Sequence, residues 1–111
     1  MTGGRASRQK GDRFERSIVH LFQEYGISSE RIPLSGSAGG KFIGDVSVAI
    51  LGNDRTIEAK VRKTGFAQVY RWLASHYAVA IRADRAEPLV CLRLRDFAEL
   101  AIAADRKRVG Q

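Results

Sequence analysis

The chain has 111 residues, 44% hydrophobic and 28% charged, which suits one compact domain and excludes both a second core of similar size and disorder as the main state. Nineteen Lys and Arg against twelve Asp and Glu leave a net charge of +7 and a pI near 10.2, so a polyanionic partner is expected, nucleic acid or an anionic membrane surface, with a merely solvated basic surface as the alternative. The single cysteine, Cys91, excludes an intrachain disulfide or a cysteine-based metal site, and the polar start MTGGRASRQKGDR, with no apolar run near the ~20 residues of a bilayer span, leads us to expect a soluble protein of a reducing compartment.

Residues 1–11 carry three glycines with Arg5, Arg8 and Lys10 and no apolar period, so they read as a flexible basic arm. From Asp12 to Tyr25, Phe14, Ile18, Leu21, Phe22 and Tyr25 lie on one face of an amphipathic helix. Asp12 suits its N-terminus and Gly26 its C-terminal cap. A short strand follows over Arg31 to Leu34, with Pro33 marking an edge or an end. The run SGSAGG at 35–40 reads as a mobile loop.

Gly44 to Leu51 alternates, with Val46, Val48 and Ile50 on one face and Asp45, Ser47 and Ala49 on the other. Gly52 and Asn53 signal a two-residue hairpin loop, and the next strand carries the stretch TIEAKVRK at 56–63. Phe66 to His76 predicts a helix. Two strands follow, Tyr77 to Ile81 and Leu89 to Leu94, and a last helix opens at Arg95 and Asp96. Residues 105–111 form a basic tail. The order is αβββαββα within one domain over 12–104.

A loop at Gly52 and Asn53 sets Asp45 against Lys60 and Ser47 against Glu58, and gathers the apolar residues of both strands on the opposite face. Asp45 and Glu58 then become diagonal neighbours at roughly 7–8 Å, within reach of one shared cation. Hard oxygen ligands suit Mg²⁺ better than Zn²⁺, and Lys60 beside them can orient a water or a phosphate oxygen. These are the parts of metal-assisted phosphodiester hydrolysis. The competing reading of the same residues is a solvated polar face with surface ion pairs. His20 and His76 have no partner motif and read as structural or surface residues.

Asp45 followed by Glu58-Ala59-Lys60 resembles the D…(D/E)xK signature of the PD-(D/E)XK nuclease superfamily. Four blocks narrow the likeness: GDRFER at 11–16, RIPLSGS at 31–37, GDV at 44–46 and IEAK at 57–60. In order and spacing they resemble the archaeal-type Holliday junction resolvases from about Lys10 to Ala80. Gly44 stands where the motif has proline, which shapes the backbone and not the chemistry.

The resemblance implies an α/β, restriction-endonuclease-like core, a central mixed five-stranded sheet flanked by helices. It implies that Asp45 and Glu58 bind Mg²⁺, or Mn²⁺ in its place, with the Ala59 carbonyl as a backbone ligand, and that Lys60 positions the attacking water. Glu15 matches an acidic residue of the first helix near the metal, and Ser35 a serine of the loop that grips or cleaves the junction. Gln68 stands where related nucleases carry a glutamine near the metal. The implied function is Mg²⁺-dependent, structure-selective cutting of four-way junctions. The alternatives are another DNA structure (flap, nicked or single-stranded) or a non-catalytic DNA-binding module.

Arg5, Arg8, Lys10, Arg13, Arg31, Lys41, Arg55, Arg62, Lys63 and Arg71 are the expected phosphate contacts. Paired cuts call for a symmetric homodimer, for which Phe66, Tyr70 and Trp72 offer an interface if they are not core. The expected location is the cytoplasm, at the nucleoid, or the host cytoplasm for a viral gene; no membrane partner is expected.

Overall fold

A computed structural model describes residues 3–33 and 45–110, with the side chains of the first helix from Arg8 onward. Among these residues three helices and five strands follow in the expected order: α1 (Gly3–Glu24), β1 (Ser29–Arg31), β2 (Val46–Ile50), β3 (Asn53–Ile57), α2 (Ala67–Leu73), β4 (Ala78–Ile81), β5 (Leu89–Leu92) and α3 (Leu94–Arg108). Among the described residues the strands pair into two antiparallel sheets, β1-β2-β3 and β4-β5, where one mixed sheet of five was expected. β3 leaves the ladder at Ile57. The chain clusters into two compact units, residues 1–61 with 98–111, and residues 62–97.

In the first unit, α1 begins at Gly3 and takes in the segment expected as an arm. Ala6, Gln9 and the basic residues there are good helix formers, and Gly11 in the interior costs only about 1 kcal/mol. The helix ends as anticipated at Gly26, whose φ is +83°. The amide of Ile27 donates to the Phe22 carbonyl at 2.9 Å and that of Gly26 to the Gln23 carbonyl at 2.9 Å, the paired bonds of a Schellman cap. Phe22 and Ile27, which flank the cap, are both buried and join Ile18, Val46, Val48, Ala98 and Ala101 as the core of this unit. β1 ends at Arg31, two positions before Pro33, which has no amide to donate to a ladder.

The hairpin differs from expectation by one position. Its loop residues are Leu51 and Gly52, with φ of +55° and +80°, the positive pair of a type I′ turn. Ser47 therefore faces Thr56, and Val46 faces Ile57. The register has slipped by two residues against the expected one, which returns every side chain to the same face. The contacts that select it come from α3: Asp105 Oδ1 accepts the Leu51 amide at 2.7 Å, and the Arg108 guanidinium lies where a Cβ on Gly52 would meet it at 3.3 Å. Residues 105–108, expected within a basic tail beyond the domain, are thus helical and hold this turn.

Leu51 occupies the left-handed region at a cost of roughly 1 kcal/mol or more. Leu51→Asn, which suits the first position of such a turn, should raise the melting temperature by about 3–6 °C. An unchanged or lower melting temperature would show that the partly exposed leucine side chain outweighs the backbone strain.

The second unit is a short helix against a hairpin. Arg93 closes α2 by donating to the carbonyls of Leu73 at 3.1 Å, Ala74 at 3.4 Å and His76 at 3.1 Å, which supplies partners and positive charge to the orphan carbonyls of a helix end. Leu73 is buried, while Phe66, Tyr70 and Trp72 are exposed, so the aromatic stripe is not core. Both histidines are exposed. No helix among the described residues is long and apolar enough to cross a membrane.

Candidate active site

Asp45 lies one residue before β2, the central strand of the three-stranded sheet, and both neighbours fix its backbone. Its amide donates to the Ile57 carbonyl at 3.0 Å, and its carbonyl accepts the Ile32 amide at 3.0 Å. Its side chain reaches across the sheet end: Oδ2 accepts the Ala59 amide at 2.8 Å. That bond satisfies a backbone donor which the ladder no longer serves once β3 stops at Ile57. An ionised carboxylate has about four acceptor positions, so one amide leaves capacity for an ion.

Glu58 and Lys60 flank Ala59 outside the strand, a correction to the expected placement of all three on its faces. Their side chains pair with each other, Lys60 Nζ to Glu58 Oε2 at 2.9 Å, with each side chain more than half exposed. Such a pair is worth about 0–1 kcal/mol, so it opens at little cost when either group meets a better partner. The expected facing of Asp45 with Lys60 does not occur. The bond from Asp45 to the Ala59 amide joins the two strand ends and keeps the Asp45 and Glu58 segments together.

Glu15 lies on α1 with its side chain 20% exposed. It accepts the Nε–H of Arg31 at 3.0 Å, and Asp12 takes Nη2 of the same guanidinium at 2.9 Å. The sequence alone suggests only a capping role for Asp12. With α1 extended to Gly3 it is an interior position, three residues from Glu15 and on the same face, a spacing readable from the sequence once the helix is known to run through it.

The other expected site residues divide. Gln68 lies on α2, where its side-chain carbonyl accepts from Arg71. Ser35, Lys41 and the backbone of Gly44 fall outside the described residues, as does the Arg5 side chain. Arg8, Lys10, Arg13, Arg62 and Lys63 are exposed, as phosphate contacts require. Arg31 donates to two carboxylates, and Arg55 donates to the Ile50 carbonyl at 3.0 Å.

Among the described residues no three His, Cys, Asp or Glu side chains gather as a metal cage. The oxygens that the Asp45 and Glu58 carboxylates and the Ala59 backbone carry are all hard, on segments that the bond from the Ala59 amide to Asp45 joins. This set fits a Mg²⁺ ion that retains several waters, and fits a soft or tetrahedral metal poorly.

A family model described as archaeal Holliday junction resolvase matches residues 6–106. No curated protein and no solved structure matches the chain.

Proposed function

This chain belongs to the archaeal Holliday junction resolvase family, and from that premise we propose that it is a Mg²⁺-dependent endonuclease resolving four-way DNA junctions by paired phosphodiester hydrolysis. The observation that carries the proposal is the Asp45 carboxylate, anchored on the Ala59 amide at 2.8 Å with Glu58 and Lys60 on either side of that residue. Asp45, Glu58 and the Ala59 carbonyl are assigned to hold the ion. When bound, such an ion polarises a phosphoryl oxygen and lowers the pKa of its water. Lys60, released from Glu58, donates from Nζ to the attacking water or to the phosphate oxygen on which charge develops.

Sequence-independent contacts from Arg8, Lys10, Arg13, Arg62 and Lys63 suit a substrate recognised by shape. The restriction-endonuclease-like core, with its mixed five-stranded sheet, belongs to the same proposal, as does a cytoplasmic location beside DNA. Two cuts related by a two-fold axis need two such sites, so the working unit is a homodimer. The exposed Phe66, Tyr70 and Trp72 on and beside α2 supply apolar surface of the kind that dimers cover.

The test is cutting of labelled four-way junctions, flaps and linear duplex, with Mg²⁺ and with chelator. We expect paired, symmetric nicks in junction arms with Mg²⁺ or Mn²⁺ and none with chelator; equal cutting of linear duplex would remove the junction reading. Lys60→Ala should slow cutting by about 10²–10³-fold, the scale for losing one donor to a developing charge. Its unfolding midpoint should hardly move, because the ion pair it loses is solvent-exposed. A variant that cuts at the parent rate would remove Lys60 from the chemistry.

A further inference from the structure

Arg31 counts in the sequence as one more cation for DNA, and its surroundings argue otherwise. Nε and Nη2 both lie 3.0 Å from Glu15 Oε1, and Nη2 lies 2.9 Å from Asp12 Oδ1. One positive charge faces two negative ones, so the guanidinium's charge is already met by carboxylates. Its place in the sheet is equally specific. Arg31 is paired with Val46, and the next residue, Ile32, donates its amide to the Asp45 carbonyl at 3.0 Å. The strand that carries the guanidinium is therefore the strand that fixes the Asp45 backbone.

We infer that Arg31 is a positioning residue: it ties Glu15 of α1 to the β1 edge beside Asp45, with Asp12 as a second anchor, and makes no phosphate contact. Glu15 is the least exposed of the three side chains, at 20% against 36% for Arg31 and 49% for Asp12. A carboxylate so enclosed keeps one orientation only if a partner holds it, and charge-assisted bonds do this best. Two acceptors on different helical turns also require a planar fork with donors on several edges. Arginine has that geometry; lysine offers a point charge. The role serves cutting only insofar as the resolvase reading holds.

The experiment separates the two. Junction binding is measured in chelator over a series of salt concentrations for the parent, Arg31→Ala, Arg31→Lys and, for comparison, Lys63→Ala. Loss of one phosphate contact lowers the slope of log K against log salt by about 0.9. That decrease is expected for Lys63→Ala and not for Arg31→Ala.

Single-turnover cutting with Mg²⁺ should fall about 10–100-fold in both Arg31 variants, the scale for partners that orient a site's ligands. The Arg31→Ala, Glu15→Gln double variant should cut no more slowly than Glu15→Gln alone. A reduced salt slope for Arg31→Ala, together with parental cutting by Arg31→Lys, would overturn the inference.

If the parent cuts no junction, the resolvase reading fails separately, and urea unfolding of the same four-variant cycle still decides on Arg31. A midpoint shift in the double variant smaller than the sum of the single shifts supports the tie to Glu15; additive shifts overturn it.

Discussion

Asp45→Asn should leave the protein folded and slow junction cutting by more than about 100-fold, beyond the 10–100-fold typical of groups that only orient a metal's ligands. The substitution isolates the chemistry. An asparagine side chain keeps a carbonyl oxygen to accept the Ala59 amide, now at 2.8 Å, but loses the negative charge that a divalent ion requires. Asp45→Ala removes both, and the part-buried Ala59 amide then lacks its acceptor, a cost of about 1–3 kcal/mol. The two variants should therefore share their loss of cutting and differ in thermal stability. Single-turnover rates and melting curves on the same preparations make the comparison. Parental cutting by Asp45→Asn would end the metal assignment, and equal melting temperatures for the two variants would show that the amide bond does not matter to the fold.

Phe22→Ala is the substitution expected to cost most in stability. Phe22 has no exposed surface, and its carbonyl accepts the amides of Tyr25 at 3.1 Å and Ile27 at 2.9 Å. The ring thus fills the core at the point where the chain turns from α1 toward β1. Removal of a buried phenyl ring costs about 3–5 kcal/mol, a large share of the 5–15 kcal/mol typical of a whole domain. Urea unfolding followed by circular dichroism should show a much lower midpoint, or no folded baseline at 37 °C. Phe22→Leu keeps most of the volume and should cost far less. Similar midpoints for the two variants would mean that the site collapses around the missing ring.

Much was legible in the chain itself, wherever the governing physics is local. The spacing of Phe14, Ile18 and Phe22 set the buried face of α1, and Gly26 marked its end because a left-handed residue is needed there. Alternation in 46–50 assigned Val46 and Val48 to the core, where both are fully buried. The residue types Asp45, Glu58 and Lys60 pointed to oxygen ligands and a point charge before any geometry was known, and the four blocks around them pointed to the family whose model matches residues 6–106.

Three features lay beyond that reading, each because distant groups meet. A hairpin register that slips by two residues preserves every apolar facing, so alternation could not choose between Leu51-Gly52 and Gly52-Asn53 as the loop. The choice follows Asp105, whose carboxylate takes the Leu51 amide across 54 positions of sequence. Alternation in TIEAKVRK likewise continued past Ile57, whereas the ladder stops there and the Ala59 amide turns to the Asp45 carboxylate.

Composition, finally, counts Arg31 as a free cation, because a sequence lists charges without their neighbours; the fold sets it between Asp12 and Glu15. Periodicity and residue chemistry determined which faces are buried and which groups can act. Long-range pairing of polar groups, which leaves no period in the chain, decided where those groups stand.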